Sequence, residues 1–332
     1  MGFIKAEPQQ GFLKVSLYGP PGSGKSFSTL LFAEGLVADT GKKIAYVDTE
    51  RGTDFYAKEA PRTVHPEPFN FDALYTTSLM EVLESVKKLD PNEYGVIVID
   101  SISHMWDAAM AAYEGKKTKV DSIPMHAWGA IKKPYKELVR WLMDSPFHVF
   151  ILGRQKNLFE TDDKDQMKKV GVGMRAEGET AYEPHICGRF EARQDEKNST
   201  VSTYFLMFEK DRTGVLAGRT YSNPSFKTLS PVMPLLNGKQ AQSEDPDDVA
   251  MKDAELHEKD KEKKAKKDEK SRELFTDFNA RIVGAKDLES LNAIATELKK
   301  QKRYIMEDTL SSLRITFEER KDRITNEKAG EI

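Results

Sequence analysis

The residues with the clearest chemical meaning are residues 19–26, which read GPPGSGKS and follow an apolar run at residues 12–18 that predicts a β-strand. In the pattern GxxxxGK[ST], glycines let consecutive backbone N–H groups surround phosphates, and the next helix points its positive end at them. Lys25 would reach the β and γ oxygens, and Ser26 would ligate Mg²⁺. The predicted nucleotide-binding residues are Gly19, Pro20, Pro21, Gly22, Ser23, Gly24, Lys25, Ser26 and Phe27.

A second apolar run, residues 96–100, reads VIVID and ends in the carboxylate of Asp100. A nucleoside triphosphatase needs a carboxylate near its Mg²⁺, and ligands of open α/β sheets bind at the carboxyl ends of strands. Asp100 is therefore the predicted partner of Ser26 at the metal. The expected cofactors are ATP and Mg²⁺.

Hydrolysis also requires a group that activates or orients the attacking water. Glu50 lies in YVDTERG, just beyond the strand expected after the loop helix, where its carboxylate would face the γ-phosphate. From spacing alone, an exposed loop glutamate without a catalytic role fits equally well. Asp48 is a poorer candidate because it still lies within the strand.

Bulk composition narrows the class of protein. The chain has 332 residues, 39% hydrophobic and 32% charged, with a net charge of −3, which argues against a membrane protein or a globally basic nucleic-acid coat. The single cysteine, Cys187, excludes an intrachain disulfide and multi-cysteine zinc sites. The start of the chain lacks an apolar signal core, so we expect a cytoplasmic location, which means the bacterial host cytoplasm if the protein is phage-encoded.

Short β-rich runs alternate with helical patterns from residue 13 to about residue 234. This alternation predicts an α/β fold with a mainly parallel sheet flanked by helices. Strands are expected at residues 13–18, 43–47, 95–100 and 148–152, and a hairpin at residues 189–193 and 201–208. A stripe at helical spacing predicts core packing by Trp128, Ile131, Tyr135, Leu138, Val139 and Leu142.

The composition changes near residue 243. Residues 244–272 are rich in both charges and poor in large apolar side chains, which predicts a linker or a solvated helix. Beyond it, three amphipathic stripes predict a small helical domain, with Gly284 ending the first helix and Asp287 capping the second. The expected domains are residues 1–240 (nucleotide-binding core), 241–272 (charged linker) and 273–332 (helical domain).

The motifs GPPGSGKS, YVDTERG and VIVIDSIS, with a later Lys210-x-Arg212 pair, resemble the RecA-like ATPases, and most closely the phage-encoded Sak-type single-strand annealing proteins. The resemblance covers roughly residues 13–237 and implies a RecA-like P-loop NTPase core. It also implies that Glu50 activates water and that Asp100 is the Walker B aspartate.

Lys210 and Arg212 are two apart on a predicted strand, so their side chains should leave the same face. An exposed salt-bridging pair is as compatible with this spacing as a functional one. The resemblance implies that the two residues neutralise the γ-phosphate of a neighbouring protomer, which requires self-assembly into a ring or a filament. A polar γ-phosphate sensor is also implied directly after the strand at residues 148–152, where Gln155 and Arg154 are both candidates.

Two long polar loops fall where RecA-like proteins meet DNA, at roughly residues 113–124 and 156–183. Lysines there would contact phosphates, although lysine-bearing surface loops are common and the second loop also carries acidic residues. The candidate DNA-binding residues are Lys116, Lys117, Lys119, Lys164, Lys168, Lys169 and Arg175.

These patterns together predict an oligomeric, ATP-hydrolysing protein that binds single-stranded DNA and promotes annealing or recombination. The helical domain would recruit a replication or recombination partner or regulate assembly. Two alternatives remain: an ATP-driven protein scaffold or switch that does not act on DNA, and a P-loop small-molecule kinase. The kinase has no evident use for Glu50 or for the Lys210 and Arg212 pair.

Overall fold

A computed structural model describes residues 11–62, 64–114, 128–161, 166–178, 180–196, 198, 201–236 and 246–329. It divides into two compact units, residues 1–242 and residues 243–332. Within the described residues, no helix combines the length and the apolar character needed to cross a membrane. The candidate DNA-binding residues Lys116, Lys117, Lys119 and Lys164 lie outside the described residues.

The larger unit is built on a nine-stranded sheet with the order β3-β2-β4-β5-β1-β7-β8-β9, and β6 pairs only with β5. The six strands from β3 to β7 in this order run parallel, whereas β6, β8 and β9 are antiparallel additions. The strands are β1 (Lys14–Gly19), β2 (Lys43–Asp48), β3 (Asp72–Leu74), β4 (Tyr94–Asp100), β5 (His148–Thr161), β6 (Met167–Met174), β7 (Ile186–Gln194), β8 (Ser202–Asp211) and β9 (Thr220–Ser222).

Helices cover both faces of this sheet. They are α1 (Lys25–Val37), α2 (Leu79–Val86), α3 (Ile102–Glu114), α4 (Trp128–Asp144) and the short α5 (Phe226–Leu229). One apolar core lies between the sheet and α2, α3 and α4, and a second lies on the face that carries α1 and α5. The predicted α/β fold is confirmed, as are the β7–β8 hairpin and the core stripe of α4.

One sequence expectation was wrong. The second polar loop, residues 156–183, is largely a β-hairpin, because β5 continues from residue 152 to Thr161 and pairs with β6. The outer part of β5 is exposed on both faces, so its sequence lacks the alternation of apolar and polar residues that marks a half-buried strand. The prediction therefore ended the strand where its burial ends.

A buried lysine ties β1 to the end of α4. The Lys14 ammonium group donates to the carbonyl oxygens of Leu142 at 2.7 Å, Ser145 at 2.8 Å and Phe147 at 2.8 Å. These carbonyls lie at and beyond the helix end, where they have no partner within the helix. Burial lowers the pKa of Lys14 to about 7, against the attraction of Asp144.

The helical unit consists of α6 (Pro246–Gly284), α7 (Leu288–Gln301) and α8 (Glu307–Ala329). Residues 250–270 of α6 are almost all exposed, and the buried core of the unit begins further along this helix. As predicted, α6 ends at Gly284, and the Asp287 side chain accepts a hydrogen bond from the Ser290 N–H at 2.8 Å to cap α7. Apolar side chains from all three helices form one small core.

Candidate nucleotide site

The phosphate-binding loop joins the end of β1 to the start of α1. Gly22 and Gly24 have φ angles of 71° and 86°, a left-handed conformation that glycine adopts without strain. A Cβ atom on Gly24 would lie 2.8 Å from a ring carbon of Tyr204 on β8, so the loop also packs too closely there for a larger residue. The local sequence therefore determines a curved backbone whose N–H groups can face phosphates.

Lys25 is the first residue of α1, and its ammonium group folds back into the loop. It donates to the carbonyl oxygens of Gly19 at 3.1 Å and Pro20 at 3.0 Å. Burial lowers the pKa of Lys25, while the carboxylates of Asp100 and Glu50 act in the opposite direction. The side chain is thus held where a cation can meet the outer phosphates of a nucleotide.

Ser26 and Asp100 lie together although 74 residues separate them in sequence. The Ser26 hydroxyl donates to Asp100 Oδ2 at 2.5 Å, and the Tyr46 hydroxyl donates to the same oxygen at 2.6 Å. Burial raises the pKa of Asp100. A hydroxyl and a carboxylate suit Mg²⁺, which prefers oxygen ligands and is usually held by one or two protein groups plus phosphates and water. The two residues therefore fit the predicted metal ligands.

Asp48 shapes the turn that carries Glu50. Its carboxylate accepts hydrogen bonds from the Glu50 N–H at 2.9 Å and from the N–H and hydroxyl of Thr53 at 3.0 and 2.5 Å. Burial alone would raise the pKa of Asp48, but the hydrogen bonds from Thr53 and the neighbouring N–H groups lower it overall. Asp48 is occupied with the backbone, as expected, and the turn directs Glu50 into the cleft.

Glu50 forms an ion pair with Arg154, which lies on β5 just beyond the buried part of that strand. The guanidinium group donates to Glu50 Oε1 from Nη2 at 2.9 Å and from Nε at 3.2 Å. His104 Nδ1 lies 3.6 Å from the same carboxylate oxygen and 2.9 Å from the Thr49 hydroxyl. The carboxylate expected to activate water is thus held by a cation, in a position where a phosphate could compete for that cation.

These groups surround one cleft of about 470 Å³. Lys25, Ser26, Glu50 and Asp100 line it, so tertiary structure brings the predicted water-activating glutamate together with the loop and the predicted metal ligands. Arg154 and Gln155 also line the cleft, and Arg154 is the one whose side chain contacts Glu50. A cleft of this size lies within the range of small-molecule sites.

Comparison with known proteins identifies the family. A family model described as an AAA domain matches residues 12–213, more than half of the chain. The chain belongs to the AAA domain family. Together with the loop geometry, this membership supports a P-loop domain at residues 12–213, and the family implies nucleotide binding and usually Mg²⁺.

Two further similarities accompany the AAA domain. The chain is 28% identical over 169 residues to the DNA repair and recombination protein RadB of Methanobrevibacter smithii, which covers 47% of this chain and 65% of RadB. The chain thus spans slightly less than two thirds of that relative's length. A crystal structure of a KaiC-like protein from Pyrococcus horikoshii matches 64% of this chain and 85% of its own, with 12% identity and a TM-score of 0.42.

Lys210 and Arg212 lie outside the AAA domain's own cleft. Both side chains donate to the Tyr182 carbonyl oxygen, and Lys210 also donates to Pro184 O at 2.8 Å. Burial, followed by the Arg212 charge, lowers the pKa of Lys210. β8 ends at Asp211 in the structure, so Lys210 lies on this strand and Arg212 lies one residue beyond it.

Arg212 and the ammonium group of Lys210 lie towards the amino-terminal ends of β1 and β7, whereas the phosphate-binding loop follows the carboxyl end of β1. The Arg212 N–H donates to His185 O, and the His185 N–H donates to Lys14 O, at the start of β1. Gly19 ends that strand, five residues later, which corresponds to roughly 16 Å at 3.3 Å per residue. The structure therefore does not bring Lys210 and Arg212 to the nucleotide cleft of their own chain.

The described candidates for DNA contact separate into two groups. Lys168 and Lys169 are exposed on β6, in the outer part of the hairpin. Arg175 instead lines the nucleotide cleft and pairs with Asp107 on α3 at 3.0 Å. The prediction grouped them because they are close in sequence, whereas the hairpin carries the lysines away from the cleft.

Sequence reasoning missed several residues of the AAA domain. Tyr46 and Ser103 lie within the motifs YVDTERG and VIVIDSIS but were given no role, and Tyr56 and His104 lie outside these motifs. Ser103 and His104 follow Asp100 within four residues, so their proximity to the predicted metal ligand was an available signal. Phe159 is 50% exposed on the hairpin, and it was not considered as a contact residue because this segment was predicted to be a loop.

Proposed function

We propose that this protein is an ATP-dependent, RecA-like protein that binds single-stranded DNA and promotes annealing or recombination in the cytoplasm. ATP would be held between protomers of a ring or filament. The similarity to RadB, a DNA repair and recombination protein, and the resemblance to phage-encoded Sak-type annealing proteins support this proposal. The resemblance to the phage-encoded proteins also favours a phage origin for the chain.

The observation that carries the proposal is the continuity of β5. This strand of 14 residues begins in the buried sheet, places Arg154 and Gln155 in the cleft, and continues to Thr161 in the exposed hairpin. Thr161 lies six residues beyond Gln155, or about 20 Å along an extended strand. A change at the cleft can therefore reach the hairpin through one hydrogen-bonded element.

The hairpin offers the chemistry of a sequence-independent contact with single-stranded DNA. Lys168 and Lys169 can meet phosphates, and the half-exposed ring of Phe159 pairs across the hairpin with Lys169. Glu160 pairs with Lys168 and offsets part of the positive charge. We therefore propose that base stacking on Phe159 contributes alongside phosphate contacts, each stacked base being worth about 1–3 kcal/mol.

Within the cleft, we propose that Arg154 exchanges partners when ATP binds. A γ-phosphate can replace the Glu50 carboxylate at the guanidinium group, which leaves Glu50 free to accept a proton from the attacking water. The Arg154 N–H donates to the Ser103 hydroxyl at 2.8 Å, and the Arg175 N–H donates to Arg154 O at 2.7 Å. Movement of the Arg154 backbone would therefore displace its hydrogen-bond partners in α3 and at the base of the hairpin.

Lys210 and Arg212 would act on the nucleotide of a neighbouring protomer, because they lie away from the cleft of their own chain. Mixing two inactive variants tests this arrangement. A Lys25→Ala protomer lacks its own site but keeps Lys210, whereas a Lys210→Ala protomer keeps its own site. Their mixture should regain ATPase activity if Lys210 acts between protomers, and two variants that stay inactive on mixing would contradict it.

The DNA function is tested by measuring ATP hydrolysis with and without single-stranded DNA over a protein titration at low salt. We expect stimulation by DNA, and the double variant Lys168→Ala and Lys169→Ala should lose most of it. Lys58→Ala, which removes an exposed lysine of the same unit, is the matched control. Turnover that is indifferent to DNA at every protein concentration would overturn the proposal.

A second candidate function has one specific observation in its favour. Leu158, Met167 and Val170 are 40%, 74% and 50% exposed on the same hairpin, together with Phe159. Exposed apolar clusters often mark protein interfaces. An ATP-driven scaffold would use this hairpin to engage protein, and it would show turnover that rises steeply with protein concentration without a response to DNA.

A further inference from the structure

The helical unit carries an apolar groove between α7 and α8, with a volume of about 180 Å³. Leu298, Leu313 and Phe317 contribute to its floor and also belong to, or pack against, the core of the unit. α8 packs mainly along α6 rather than α7, which leaves this space between the two helices. An apolar cavity of about 150 Å³ accepts a benzene ring, so the groove can hold one bulky side chain.

Positive charges surround this groove. Lys299 and Lys302 approach it from the end of α7, and Arg314 approaches it from α8. All three are exposed, and among the described residues none of them forms an ion pair with a carboxylate. The acidic residue at the groove, Glu318, already pairs with Lys321 at 3.3 Å.

We propose that this groove binds a short acidic peptide segment of a partner protein, anchored by one bulky apolar side chain. The anchor would fill the space above Leu298, Leu313 and Phe317. Carboxylates on either side of the anchor would face Lys299, Lys302 and Arg314. Apolar anchoring within a polar rim is the usual organisation of peptide-binding grooves.

A nucleic-acid strand fits this surface less well. It could pair with the three charges, but base edges placed against leucine and phenylalanine would lose their hydrogen-bond partners. The combination of an enclosed apolar floor with a cationic rim therefore favours a peptide. With one anchor and exposed charge pairs, we expect an affinity on the order of tens of micromolar that weakens with salt.

The test uses the full chain and a fluorescein-labelled peptide of twelve residues with one central phenylalanine and six aspartates or glutamates. Fluorescence anisotropy is compared with two matched peptides, one with alanine in place of phenylalanine and one with amides in place of carboxylates. We expect saturable binding of the first peptide and at least tenfold weaker binding of both controls. No saturable binding up to about 1 mM peptide, roughly tenfold to a hundredfold above the expected dissociation constant, would overturn the proposal.

Protein variants locate the binding site. The double variant Lys299→Glu and Arg314→Glu changes only exposed charges and should weaken binding about tenfold or more. Lys286→Glu, an exposed lysine of the same unit that does not line the groove, should leave binding unchanged. Equal binding by both variants would overturn the proposal, as would displacement of the peptide by single-stranded DNA combined with indifference to the phenylalanine.

Discussion

The AAA domain and the helical unit place their charged groups in different environments. In the AAA domain, Lys14, Asp48 and Asp100 are buried, and each is held by several hydrogen bonds from surrounding groups. In the helical unit, residues 250–270 carry dense charge of both signs almost entirely in solvent. Buried charged groups need hydrogen-bond partners in the fold, and burial together with those partners sets their pKa. Exposed ion pairs contribute little to stability. The contrast separates a cleft whose charges are positioned by the fold from a helical surface whose charges are solvated.

The largest effect should follow from Lys25→Ala in the AAA domain. Removing the cation that the loop holds should weaken ATP binding by roughly a thousandfold, because the charge-assisted contact to the outer phosphates is lost. Isothermal titration with a non-hydrolysable ATP analogue measures the affinity. Lys58→Ala is the control, and near-normal affinity of Lys25→Ala would show that the loop is not the nucleotide site.

The second-largest effect should be a loss of stability that is confined to the helical unit. Leu313 is fully buried in its core, so Leu313→Ala should lower the free energy of unfolding of this unit by about 3 kcal/mol. Ile315, two residues away and 63% exposed, provides the control Ile315→Ala, with a change within about 0.5 kcal/mol.

The two units can be followed separately in this experiment. All three tryptophans, Trp106, Trp128 and Trp141, lie in the larger unit, so their fluorescence reports its unfolding, whereas circular dichroism reports both units. Leu313→Ala should shift the dichroism transition and leave the tryptophan transition and ATP binding unchanged. A shared shift in both signals would mean that the two units unfold together.

Glu50→Gln should lower ATP turnover by about a hundredfold while bound ATP persists, since the amide cannot accept the proton of the attacking water. The stability of the protein should change little, because Arg154 and Glu50 are 44% and 43% exposed and such pairs contribute at most about 1 kcal/mol. Single-turnover hydrolysis measures the chemical step. Glu59→Gln, at an exposed glutamate nine residues further along the chain that does not line the cleft, is the control, and normal turnover by Glu50→Gln would assign the base elsewhere.

The smallest effect concerns acid stability and sharpens the contrast between buried and exposed groups. His148 Nδ1 accepts a hydrogen bond from the Leu13 N–H at 3.0 Å, and burial, followed by the charges of Lys14 and Lys42, lowers its pKa to about 4. The unfolded chain binds a proton near pH 6.5, so this histidine contributes stability above that pH that is lost as the pH falls towards 4.

His148→Asn keeps an acceptor for the Leu13 N–H but cannot be protonated. Between pH 7 and pH 5 it should remove about 2 kcal/mol of the pH dependence of unfolding, measured by tryptophan fluorescence in urea. An identical pH slope in the wild type and in His148→Asn would contradict the assignment.

Sequence patterns predicted the parts of the structure that depend on local spacing. The phosphate-binding loop, the buried run ending at Asp100, the hairpin of β7 and β8 and the three amphipathic helices all have periodicities or motifs within a few residues. Strand ends that leave the core were poorly predicted, since β5 loses its apolar alternation on entering solvent. The short edge strands β3 and β9 were missed for the same reason.

The sequence by itself determined a P-loop motif, a carboxylate at the end of a buried strand, an α/β core and a helical tail, because each depends on neighbours along the chain. Only the tertiary structure decided that Arg154 rather than Gln155 contacts Glu50, and that Arg175 lies at the cleft. It also decided that Lys210 and Arg212 lie away from the nucleotide cleft of their own chain. These relations depend on the order and register of strands distant in sequence, which local patterns do not encode.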